Sequence, residues 1–180
     1  RRGRHGLRAF SVSGRVRSPG VKLAPAGISV RELVDEFCDG MLPGHELYAF
    51  LPGGASGGIL PASLAGEPLD FDTLQPHGAF IGSAAVIVLS QHDRAVDAAR
   101  NLMAFFRDES CGQCTPCRVG TAKAASEIAG GDWNVALLRE LSTTMMDASI
   151  CGLGQAAPNP VLSVLRYFAH ELGPDDGGGR

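Results

Sequence analysis

The sequence predicts an α+β chain, and three observations carry that reading. Residues up to Leu89 alternate apolar with polar, the signature of half-exposed strands; residues beyond it repeat with helical period; and four thiols fall at the ends of the predicted helices. A small sheet with one helix packed across it is expected first and a four-helix bundle second. At 180 residues, 44% of them hydrophobic, the chain has material for one or two compact domains with ordinary cores.

In the first half, Phe10, Val12 and Val16 alternate with Ser11, Ser13, Arg15 and Arg17, which predicts a strand. Ser18-Pro19-Gly20 reads as a turn, after which Val21 and Leu23 open a second strand. Ser29 followed by Glu32 matches a capping box, and Val30, Leu33, Val34, Phe37 and Met41 then form a helical face that Gly40 ends in the left-handed region. A third strand is expected over Leu47–Leu51 and a last one over Ala84–Leu89. The last is apolar on both faces and therefore central. The run Pro52–Gly58 has the glycines of a phosphate cradle, but no Gly-Lys-Ser/Thr ending and no helix after it, so it reads as a glycine-rich loop in an interaction surface.

The second half opens with a helix carrying Val96, Ala99, Leu102, Met103 and Phe106, with Asp93 as its expected N-cap. Thr115-Pro116 reads as the N-cap and first position of a second helix, which places Cys117 in its first turn. A third follows Asn134 with Val135, Leu138, Leu141, Met145 and Ala148 inward, and Cys151-Gly152 is expected to end it. Asn159-Pro160 opens the fourth, with Val161, Val164, Leu165, Phe168 and Leu172 inward, and Asp175–Gly179 is expected to be a disordered tail.

Several classes lack support. No apolar run reaches the roughly 20 residues of a membrane span, so no direct membrane insertion is expected. The basic start Arg1-Arg2-Gly3-Arg4-His5 is followed by no apolar segment and is not a secretory signal. A net charge of −3 gives no support for nucleic-acid binding. The missing initiator methionine points to a piece of a longer chain or to a processed terminus.

Five cysteines are present, and Cys111, Cys114, Cys117 and Cys151 make the pattern C-x2-C-x2-C-x33-C. Cys38 stands apart as a small core residue. A chain this well supplied with core residues needs no disulfide framework, so the clustered thiols read as metal ligands in a reducing compartment. Zinc usually takes two separated cysteine pairs, whereas three thiols in one run can each reach a different iron of a cubane. A [4Fe-4S] cluster is the first reading, with zinc or redox-active thiols as alternatives. Gly112 and Gly152 each follow a thiol and let backbone N–H groups approach sulfur, or are plain loop glycines. Arg118 and Lys123 offset cluster charge or are solvated helix cations, and His92 and His170 are expected at the surface.

The run Ser110–Gly120, with Ser149-Ile150-Cys151-Gly152-Leu153-Gly154 and Pro158, resembles the C-terminal part of the flavoprotein subunit of NADH dehydrogenases. Ser11–Gly14, Ser18–Val21 and Pro52–Gly54 resemble that family's soluble-ligand-binding β-grasp domain. Residues 108–114 and 147–160 look most like the β subunits of NAD-dependent formate dehydrogenases; complex I and hydrogenase-diaphorase subunits are the alternatives. The resemblance implies a linker over residues 1–7, a β-grasp domain over 8–91, a helical cluster domain over 92–173 and a tail over 174–180. It also implies single-electron exchange with an FMN that, like NAD, belongs to an N-terminal domain absent from these residues. Neither catalytic residues nor FMN- or NAD-binding residues are expected here. The implied partners are a thioredoxin-like [2Fe-2S] subunit and an iron–sulfur-rich catalytic or electron-wire subunit, in the cytoplasm.

Overall fold

The computed structural model describes residues 1–172, and they fall into two compact units, one ending at Arg94 and the other beginning at Ala95. The expected tail lies outside the described residues. No helix among them is long and apolar enough to cross a membrane.

The first unit is a mixed five-stranded sheet: β1 (Leu7–Gly14), β2 (Gly20–Pro25), β3 (Leu47–Leu51), β4 (Leu60–Pro61) and β5 (Ala85–Ser90), in the order β2-β1-β5-β3-β4. β1 and β5 run parallel, and the other pairs are antiparallel. Period two decides what β1 buries: Phe10 and Val12 go inward while Ala9 and Ser11 face out. β5 takes the central place expected of it. On β2 the register sets Lys22 opposite Phe10 and Leu23 opposite Ala9, so Val21 and Leu23 face outward with Ala9 and Ala24 is buried. β4 pairs through only two residues, Leu60 and Pro61, too few to leave a periodic trace.

Helix α1 (Val30–Phe37) starts on the expected capping box: Ser29 Oγ accepts the Glu32 N–H, and the Glu32 carboxylate accepts the Ser29 N–H at 2.9 Å. Val30, Leu33 and Val34 are its buried face. The helix stops at Phe37, so Met41 is not on it and instead bridges to Val16. Gly40 has φ +81° and returns its N–H to Val34 O at 3.0 Å, as a left-handed terminator does. Cys38 is buried, and burial pushes its thiol up. Before β1, Arg1 and Arg2 pair with Glu32, and Arg4 pairs with Asp72.

The glycine-rich loop has a structural use. A Cβ on Gly53 would lie 2.3 Å from Phe80 O, so only glycine lets the loop lie against the Phe80–Ile81 backbone. Gly54 donates its N–H to Ala85 O, and Pro52, Gly57 and Gly58 are buried, which leaves Gly54–Ser56 as the half-buried part of the loop.

The second unit holds α2 (Ala95–Asp108), α3 (Thr115–Ile128), α4 (Val135–Ala148), the five-residue α5 (Gly152–Ala156) and α6 (Asn159–Tyr167). α2 packs on α3 and α6, and α3 packs on α4. Val135 and Ala148, expected inward, are exposed. Three expected helix starts move. Asp93 does not cap α2; Glu171, from the short 3-10 turn at Ala169–Leu172, accepts the Ala95 and Val96 N–H groups at 3.1 and 3.0 Å. The N-cap of α3 is Cys114 rather than Thr115, and that of α6 is Pro158 rather than Asn159, so Pro116 and Pro160 are second helical residues. α4 begins as expected, with Asn134 accepting the Leu137 N–H.

Asp93 has another job. Its carboxylate accepts the Ser90 N–H at 2.9 Å and grips the Arg15 guanidinium at 2.7 and 3.0 Å, and these bonds, Arg15 first, hold its carboxyl down at about 2. A carboxyl depressed by folding stabilises the fold fully above its unfolded value of 3.8, and that contribution disappears as pH falls towards about 2. Because Arg15 is 46% exposed, solvent screening keeps the ion pair's contribution small. Asp93→Asn should therefore be less stable than the parent at neutral pH, with the gap closing in acid. Urea denaturation across that range checks this, and a pH-independent gap would contradict it.

Candidate metal centre

The thiol run occupies the turn between α2 and α3. Gly112 makes that turn with φ +77°, a conformation side chains rarely adopt. Arg118, on the first turns of α3, donates to Gly112 O at 2.7 Å and ties the turn to the helix. Cys111 stands exposed on the turn, Cys114 is the N-cap of α3, and Cys117 lies buried in its first turn.

Cys151 does not terminate α4, which closes at Ala148 with Ser149 as its C-cap. Cys151 is instead the N-cap of α5, and it is exposed. The short helix is what the sequence reading missed; Gly152 and Gly154 hid it, because glycine disfavours helix. Its tight turn places Gly154 under the thiol run. A Cβ there would sit 2.8 Å from Cys117 Cβ and 2.4 Å from Ser149 Oγ, so the three residues meet only because Gly154 has no side chain. Gln155 steadies the turn by donating its side-chain amide to Ser149 O at 3.0 Å.

The same meeting sets the electrostatics of Cys114. Its thiol is held below the ordinary value, chiefly by the Ile150 backbone N–H and then by that of Cys117, with partial burial opposing them. The structure therefore brings Cys114 and Cys117 to the Ser149–Gly154 segment, on which Cys151 lies. Two serines surround these sulfurs. Ser110 Oγ is 3.3 Å from Cys117 Sγ and is approached by the Gly112 N–H. Ser149 Oγ is buried without a hydrogen-bond partner, close enough to the Cys114 sulfur to favour the thiolate yet short of bonding geometry. Both are visible in the sequence, but no periodicity says where a hydroxyl points.

These features fit an iron–sulfur cluster. Thiolates need donors, and backbone N–H groups converge on one sulfur while an unpartnered hydroxyl waits beside it. Among the described residues no three His, Cys, Asp or Glu side chains gather closely enough for a single ion. Zinc would draw each sulfur to about 2.3 Å, whereas a cubane takes its thiolates on separate irons. Cys38 belongs to the other unit. So does exposed His92, whose ring meets that of His45 edge-on; His170 and Lys123 are exposed.

Residues 97–174 match the model of the NADH-ubiquinone oxidoreductase-F iron-sulfur binding region. The chain is 37% identical over 175 residues to the mitochondrial NADH-ubiquinone oxidoreductase 51 kDa subunit of Neurospora crassa, covering 93% of this chain and 36% of that protein. It is 34% identical over 173 residues to the NADP-reducing hydrogenase subunit HndC of Solidesulfovibrio fructosivorans, covering 92% and 35%. A solved NAD+-reducing [NiFe]-hydrogenase in the H2-reduced state superposes with a TM-score of 0.80 at 33% identity, over 95% of this chain and 30% of that one. The chain thus spans little more than a third of the length of these curated relatives.

Because Gly154 lies against Ser149 and Cys117, Gly154→Ala should overpack the turn and destabilise the helical unit by about 1–3 kcal/mol. Chemical denaturation followed by helix content measures it; a change below a few tenths of that scale would mean the turn yields freely.

Proposed function

We propose that the chain is the cluster-bearing part of a flavoprotein subunit of the NADH dehydrogenase kind, and that Cys111, Cys114, Cys117 and Cys151 hold the [4Fe-4S] cluster of its iron–sulfur region. The carrying observation is that Cys117 and Ser149 both close on Gly154, which joins two ligand segments separated by 33 residues. When bound, the cluster supplies one-electron exchange. The chain's own part is to position and insulate. The Cys117 N–H at the head of α3 reaches the Cys114 sulfur, Arg118 fixes the Gly112 turn, and α5 presents Cys151 from the opposite segment.

In the longer subunit this region works in NAD-linked oxidoreduction, exchanging single electrons with an FMN held, like NAD, by residues outside these 180. Its partners there are a thioredoxin-like [2Fe-2S] subunit and an iron–sulfur-rich subunit, in the cytoplasm. The sheet order, with α1 placed between β2 and β3, supports a β-grasp reading over residues 8–91. The four longer helices α2, α3, α4 and α6 support a bundle over 92–173, and the division after Arg94 falls near that boundary.

Anaerobic purification followed by metal and sulfide analysis tests the cluster: about four iron and four sulfide per chain are expected, whereas one zinc without sulfide would replace it with a structural zinc module. Cys151→Ser should lose or degrade the cluster while Cys38→Ser keeps it; the opposite pattern would refute the ligand set. The formate dehydrogenase reading rests on residues 108–114 and 147–160, while the relatives named above are ubiquinone-oxidoreductase and hydrogenase subunits. NADH formation driven by formate in the assembled complex would support it. A complex that couples NAD only to hydrogen or to quinone would reassign it.

A further inference from the structure

Two hydroxyls beside the thiols have a use that the ligand set alone does not explain. Burying a polar group unpaired is costly, so the lone Ser149 Oγ needs a reason. That oxygen and Cys117 Cβ approach the same point above Gly154, which places the hydroxyl beside the Cys117 side chain. Ser110 supplies a second hydroxyl, 3.3 Å from Cys117 Sγ. It is also approached by the Gly112 N–H, so its oxygen acts as acceptor towards the backbone and its proton is left for the sulfur. While Cys117 is a thiol either atom can donate, but a thiolate has no proton, and then the serine must.

We propose that Ser149, seconded by Ser110, donates its hydroxyl proton to sulfur at the metal centre and so raises the centre's affinity for an electron. This rests on the cluster reading given above. A donor at sulfur stabilises the more negative, reduced state more than the oxidised one. One electron enters, supplied in the test by dithionite. No bond is made or broken, and each proton stays on its serine oxygen. Ser149 acts through the sulfurs and is a positioning residue.

The test is an EPR-monitored dithionite titration of the anaerobically purified protein, with iron and sulfide content measured on the same samples. Ser149→Ala should keep its iron and sulfide while its reduced-to-oxidised ratio at a given potential falls about tenfold, a midpoint about 59 mV lower for one electron. Ser149→Thr retains the hydroxyl and should stay near the parent. An unchanged midpoint in Ser149→Ala, or an equal shift in Ser149→Thr, would overturn the proposal while leaving the cluster in place. Loss of iron in Ser149→Ala alone would also overturn it, by making the residue structural. A parent protein without iron and sulfide would instead remove the cluster reading, and this proposal with it.

Discussion

The helical unit depends on one close approach, the meeting of the α3 start with the turn that carries Cys151. It is enforced sterically, since Gly154 leaves no room for a side chain between Ser149 and Cys117. Everything local to the site follows from that contact. Cys114 comes within reach of the Ile150 N–H, and Ser149 is buried beside it. Interiors are close-packed, so this approach fixes the two segments relative to each other. Such a site is pre-organised by carbon contacts and completed by sulfur.

Much of this was legible in the sequence because periodicity reports burial. The alternation around Phe10 and Val12, the Ser29–Glu32 box and the stripe Val96-Ala99-Met103-Phe106 each describe a face, and the structure buries that face. The thiol spacing was equally readable, since ligand chemistry leaves its residue types in plain view. What failed to show was non-local or too short. Glu171 caps α2 from 76 positions away, where a local rule assigns the task to Asp93. β4 is two residues long, and α5 is built on glycines that argue against a helix. The caps of α3 and α6 lie one residue early, because Cys114 and Pro158 take places the rules assign to Thr115 and Asn159.

The sheet and the helical unit solve different problems with glycine. In the loop after β3, Gly53 lets backbone lie on backbone and closes a fold. Under the thiols, Gly154 lets side chains of two segments share one space. A glycine-rich run is thus weak evidence of phosphate binding by itself, since packing alone accounts for its composition.

The bond from Glu171 to the head of α2 has a consequence for biosynthesis. A ribosome releases α2 first, yet its opening N–H groups stay with solvent until residue 171 emerges. The nascent helix therefore keeps its first N–H groups uncapped while the 76 residues up to Glu171 are made.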